Sequence, residues 1–137
     1  MEAAADARGF RAKALESLAS AERDFEEGRY NSCANRCYYA CFQAAVAALI
    51  SEGIRPPAAS GRWEHGFVQA QFVGVLIERR KMYPGTLRRV LGDTIDARVV
   101  ADYQPEGVSS RRASRLVRAV RNFVATVGEG RSGNPLG

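Results

Sequence analysis

Asn35-Arg36-Cys37-Tyr38-Tyr39-Ala40-Cys41-Phe42-Gln43-Ala44-Ala45-Val46-Ala47-Ala48-Leu49-Ile50 decides the fold of this chain. After Arg36 it runs fourteen residues with a single polar side chain, Gln43, and contains neither Pro nor Gly. Only Val46 and Ile50 are β-branched and alanine dominates, so propensity favours helix over strand. A helix that is apolar nearly all round has to be covered on nearly all sides. This one is shorter than the roughly 20 apolar residues that a bilayer requires. The stretch therefore predicts a central core helix, its alanine faces admitting close neighbours and Tyr38, Tyr39 and Phe42 filling wider gaps.

Cys33, Cys37 and Cys41 fall at i, i+4 and i+8 on this helix. Thiols in line on one helix pair poorly as disulfides, and an odd count argues against a secreted disulfide framework. They read as reduced, small core residues. The acidic start of the chain, Met1-Glu2-Ala3-Ala4-Ala5-Asp6, lacks an apolar signal segment, which makes a cytoplasmic protein the expectation and a membrane association not expected.

Amphipathic segments flank the core helix. Phe10, Ala14, Leu18, Ala21 and Phe25 form the stripe of a first helix over about 4–26, which Gly28 stops. Asn31 or Ser32 is placed to cap the central helix, which ends near Glu52 and Gly53. Residues 53–63 hold two prolines and two glycines and read as a loop. A shorter helix follows over about 64–78 with Phe67, Phe72, Val75 and Leu76 inward. A fourth starts near Thr86 with Leu87, Leu91, Ile95 and Val99 inward. A fifth, capped by Ser109 or Ser110, turns Leu116, Val120, Phe123 and Val127 to the core. The expected architecture is all-α, an up-down bundle of four long helices plus a shorter one, in a single domain over 1–127 with a flexible tail over 128–137.

Charge is distributed unevenly. The net charge is +5, but residues 1–60 sum to −1 and residues 61–137 to +6, and eighteen of the twenty basic residues are arginine. A basic half of this kind suits RNA, a nucleotide or an acidic protein. Arg111, Arg115 and Arg118 share the face of the fifth helix opposite its apolar stripe, flanked by Arg112 and Arg121. They are the candidates for binding nucleic acid or a partner, with a plainly solvated face as the alternative.

Laid out in order, these pieces resemble the HEPN domains, small helical bundles of bacteria and archaea found beside minimal nucleotidyltransferases. The resemblance rests on Arg11-x-Lys13-Ala14, Gly28-Arg29-Tyr30, Arg36-x-Tyr38-Tyr39-Ala40, Phe42-Gln43-Ala44-Ala45, the lone His65, and Arg98-x-x-Ala101-Asp102-Tyr103, and covers roughly residues 8–127. It implies a homodimer and a nucleotidyltransferase-type partner in a toxin–antitoxin-like or stress-defence pair. Many HEPN proteins are ribonucleases that use an arginine, then four to six intervening residues, then a histidine. Arg98 stands at the arginine position, but Val99-Val100-Ala101-Asp102-Tyr103-Gln104-Pro105 follows and no histidine comes after it.

The candidate catalytic set is therefore Arg98 with Asp102, Tyr103 or His65, as in a divergent metal-independent ribonuclease. An aspartate paired with an arginine makes a poor general base at neutral pH. The alternative for Arg98 and Asp102 is an ion-pair network reaching Arg36 on the central helix, with Tyr38 and Tyr39 as core or interface residues. For His65 the alternative to a proton shuttle is a hydrogen-bonding role at a helix start. No cofactor or metal is expected: there is no phosphate loop, dinucleotide fingerprint, zinc spacing or Glu-x-x-His pattern.

Overall fold

The structure, a computed structural model, describes residues 2–132, with side chains as far as Gly128. All regular structure among them is helical: α1 (Glu2–Glu26), α2 (Tyr30–Ser51), α3 (His65–Gln71), α4 (Val90–Tyr103) and α5 (Ser110–Ser132). The fold is the expected all-α bundle.

Helix α2 is its axis. Cys33, Ala34, Cys37, Tyr38, Ala40 and Cys41 are buried, and so is every residue from Ala44 to Ile50. It packs against α1, α3, α4 and α5. Its contact with α1 is the most extensive and is made by small residues: Ala7, Ala14, Ser17 and Ala21 are the buried positions of α1, while Phe10, Leu18 and Phe25 pack at the margins. Short side chains on both helices let the backbones approach closely. One polar stitch crosses this seam. With its carboxamide nitrogen facing α1, Gln43 donates to Ser17 Oγ (2.8 Å) and to the Lys13 carbonyl (3.0 Å). The only polar residue in the apolar run is thus matched rather than stranded.

The stops read from sequence are present. Gly28 has φ of +76°, and the Arg29 amide donates back to the Asp24 carbonyl at 2.8 Å. Gly53 repeats the arrangement at φ +80°, with the Ile54 amide donating to the Leu49 carbonyl at 2.9 Å. Both are six-to-one closures that satisfy the last helical carbonyls, and the left-handed conformation suits glycine. Ser109 caps α5, its Oγ accepting from the Arg112 amide at 3.1 Å.

Several expectations need correction. Neither Asn31 nor Ser32 caps α2. The helix begins a residue earlier, at Tyr30, Ser32 Oγ donates to Asp24 at 2.6 Å, and Asn31 Oδ1 accepts the Val108 amide at 2.8 Å. The third helix is α-helical only to Gln71 and continues as a π-helix over Phe72–Arg79, which closes at Lys81 with φ +53°. The wider π turns bring Phe72, Leu76 and Ile77 into the core, whereas Val75 and Phe67 are half-buried.

Helix α4 starts at Val90, after a 3-10 turn over Gly85–Leu87, and its buried face is Val90, Leu91, Thr94 and Ala97. Ile95 is half-buried and Val99 is 44% exposed. Helix α5 continues through Gly128 to Ser132 rather than yielding to a tail at Gly128, and residues 133–137 of the expected tail lie outside the described residues. Buried aromatic rings join the π-helix to α5: Phe72 stacks on Tyr83 at 5.5 Å and tilts against Phe123 at 5.1 Å.

Candidate functional site

Arg98 lies in the last two turns of α4, on the edge facing α2, and two tyrosine rings of α2, one of them backed by Phe42, form the floor beneath it. Tyr38, Tyr39 and Phe42 are held together by an edge contact of Tyr38 with Tyr39 (4.9 Å) and a stack of Tyr38 on Phe42 (5.7 Å). The Arg98 guanidinium sits over this floor, its Cζ 4.8 Å from the Tyr38 ring centre and 5.5 Å from that of Tyr39. Arg36 approaches Tyr39 as well, at 4.9 Å. The negative ring faces attract both cations and hold them within one cluster.

The rest of the cluster is a polar chain linking the two helices. Arg98 Nε meets Asp102 Oδ2 at 3.4 Å, one turn along α4. The same oxygen accepts from Asn35 Nδ2 at 3.4 Å, and Asn35 Oδ1 accepts from Arg36 Nη2 at 2.7 Å. Sequence reasoning placed Arg98, Asp102 and Arg36 in one network; Asn35, the link between them, was missed. Its position one residue before Arg36 was the available signal. The Arg98 and Asp102 side chains are 32% and 33% exposed, so this is a half-wet seam and not an interior ion pair. Arg98 Nε itself is shielded and, although within ion-pair distance of Asp102, has no aligned hydrogen-bond acceptor. Burial raises the proton affinity of the Tyr38 phenol, and the adjacent Arg98 charge partly offsets this.

The other candidates stand apart. Tyr103, at the end of α4, is 77% exposed and its ring projects from the seam. His65 is exposed at the first residue of α3, its side chain makes no hydrogen bond among the described residues, and it takes no part in the cluster around Arg98. The expected hydrogen-bonding role at a helix start is not seen for it. Arg36 also faces a polar groove of about 280 Å³ between α1 and α2, lined by Lys13, Glu16, Ser17, Ser20 and Gln43.

The three cysteines are free and buried in line along α2. A hydrogen bond between Cys37 and Cys33 pulls the Cys33 thiol down in pKa and pushes Cys37 far up, while burial alone pushes Cys41 up. No group of three or more His, Cys, Asp or Glu side chains able to hold a metal ion occurs among the described residues. None of the described helices is long and apolar enough to cross a membrane.

The α5 arginines fall where the pattern put them. Arg111, Arg115 and Arg118 are exposed, Arg112 is half-buried beside them, and Arg121 pairs with Glu22 of α1 at 2.8 Å.

A family model for the HEPN domain matches residues 7–130. The chain belongs to the HEPN family. Comparison with curated proteins gives no match. The matched span runs from the first buried turn of α1 into the final turns of α5, so the HEPN domain and the bundle are the same object. Within this HEPN domain the arginine in the last two turns of α4 is followed, one turn on, by an aspartate that ties it to α2.

Proposed function

We propose that this HEPN domain is a cytoplasmic, homodimeric interaction protein, the partner of a nucleotidyltransferase-type protein in a toxin–antitoxin-like or stress-defence pair, and that it does not cleave RNA. One observation carries this reading: Arg98 is occupied within the fold. Two tyrosine rings hold its guanidinium from below and Asp102 pairs with its Nε, while Asp102 is in turn tied to Asn35. In-line attack on an RNA phosphate needs a cation free to take up developing charge and a second group that moves a proton. The residues one turn beyond Arg98 are Asp102 and Tyr103, and the sole histidine of the chain lies on α3.

The outer side of α4 supports association. Val99 and Tyr103 are one turn apart, both exposed and apolar, and they border the Arg98–Asp102 pair. A second copy packed on this face covers them and dries the ion pair at the same time.

Sedimentation of the purified chain tests the dimer. The native protein is expected to sediment as a dimer and a Val99→Asp, Tyr103→Ser double variant as a folded monomer; a monomeric native protein contradicts it. The partner is tested by looking for a nucleotidyltransferase-type protein in the adjacent genes and co-purifying the two. Its absence there, or its failure to co-purify, removes the partnership.

A further inference from the structure

Six exposed arginines are paired with carboxylates, Arg29 with Glu27, Arg55 with Asp6, Arg62 with Glu64, Arg80 with Glu52, Arg88 with Glu78 and Arg121 with Glu22. Those outside α5 that are unpaired among the described residues, such as Arg8, Arg23, Arg79 and Arg89, are scattered over the sequence. Arg111, Arg112, Arg115 and Arg118 have no carboxylate within ion-pair distance among the described residues, and from Ser110 to Gly128 the chain carries five arginines and no Asp or Glu. Four like charges gathered on two turns of one helix repel one another, so the fold gains nothing from them there.

These arginines border two open grooves. One, of about 660 Å³, lies toward the start of α4, with Val90 and Leu116 in its wall and Asp93 as its one acidic residue. The other, of about 630 Å³, lies toward the α1–α2 turn and is lined by Phe25, Tyr30, Arg111, Arg115 and Arg118 with the hydroxyls of Ser110 and Ser114. Arg115 and Arg118 line both, forming the ridge between them. Along the helix, Arg111 to Arg115 to Arg118 advances by about 6 Å and then about 4.5 Å, a spacing that lets neighbouring guanidinium forks engage successive phosphates. Tyr30 lies at the edge of this row, packed on Phe25 at 5.8 Å.

We propose that the α5 face is a binding surface for single-stranded RNA, in which Arg111, Arg115 and Arg118 take successive backbone phosphates and a base stacks on Tyr30. Ser110 and Ser114 supply hydroxyl donors to the same strand. The aromatic wall separates this reading from an acidic protein partner, which would use the charges and leave the ring idle. The surface is independent of the Arg98 cluster and of the exposed side of α4, so it stands or falls apart from the partnership proposed above.

The test is fluorescence anisotropy of a labelled 20-nucleotide mixed-sequence RNA with the full chain. Three phosphate contacts give a slope of log affinity on log salt of about −2. Replacing all three exposed arginines (Arg111→Gln, Arg115→Gln, Arg118→Gln) is expected to abolish most of that slope, and Arg121→Gln to leave it nearly intact. Tyr30→Leu is expected to weaken RNA binding about tenfold while Tyr30→Phe retains it, with thermal melts confirming that both variants fold. Absence of salt-dependent RNA binding, or binding indifferent to the triple substitution, overturns the proposal. So does loss of RNA affinity with the arginines but none with Tyr30→Leu, together with equal affinity for poly-L-glutamate, which assigns the face to an acidic protein.

Discussion

The Cζ of Arg98 lies 4.8 Å from the centre of the Tyr38 ring, and the carboxylate of Asp102 closes on the Nε of the same guanidinium at 3.4 Å. A cation held from beneath by a ring and from the side by a carboxylate joins α4 to α2. The two attachments differ in strength because the ion pair is about one-third exposed at both ends.

Asp102→Ala is therefore expected to cost about 1 kcal/mol, after screening by solvent. Buried networks lose about 3–5 kcal/mol, and an assignment of Asp102 to that class would overstate the loss. Arg98→Ala forfeits contacts with two rings in addition and is expected to cost about 2 kcal/mol. Urea denaturation of the two variants and the native chain measures both. Equal losses would mean that the tyrosine floor adds nothing.

Gly107 has φ of +75°, and a Cβ there would meet Asn31 Oδ1 at 3.0 Å. That same oxygen accepts the Val108 amide at 2.8 Å, fastening the α4–α5 loop to the start of α2. Gly107→Ala combines a left-handed backbone with a displaced acceptor and is expected to cost about 1–3 kcal/mol. Asn31→Ala, which leaves the amide without its acceptor, is expected to fall in the same range. Thermal unfolding of each variant and of the pair checks the link: the double loss should be smaller than the sum of the singles.

Phe123 is fully buried and packs on Phe72, which in turn stacks on Tyr83. Phe123→Ala is expected to cost about 3–5 kcal/mol, and Phe123→Leu markedly less. Denaturant midpoints give the comparison.

Much of the bundle was legible in the chain, because composition marks the heart of α2 as core: from Cys37 to Ile50 an alanine-rich run carries one amide, Gln43, and from Ala44 onward every side chain to Ile50 is buried. The phase of α4 was not. Leu87, Leu91, Ile95 and Val99 recur every four residues, and each such step turns the helix face by about 40°, so the last member has rotated away from the first. The core instead takes Thr94 and Ala97. Thr94 is tolerated there because its Oγ1 donates to the Leu91 carbonyl at 2.7 Å and so hides its polarity. At the candidate site, Arg98 and Asp102 could be paired from their one-turn spacing. The roles of Asn35 and Tyr30 depend on helices meeting across the bundle, which no local pattern encodes.

Burial pushes the Cys41 thiol and the Tyr38 phenol up from their ordinary values of 9.0 and 10.0. The folded state then holds these protons more tightly than the unfolded state, so their contribution is intact at neutral pH. It is lost as pH climbs past the ordinary thiol value. Melting temperature is expected to fall between about pH 8.5 and 10.5. In Cys41→Ala the decline should be shallower even though the variant is less stable at neutral pH. An unchanged pH profile in that variant would place the loss elsewhere.

The most direct measurement of the central claim, that Arg98 serves the fold and its interface and not RNA cleavage, is a ribonuclease assay of the purified native chain. It is run on structured and unstructured RNA, without metal, beside Arg98→Ala. The account predicts no cleavage above buffer from either protein and a lower melting temperature for Arg98→Ala. Cleavage by the native chain that Arg98→Ala abolishes, with the fold intact, would contradict it.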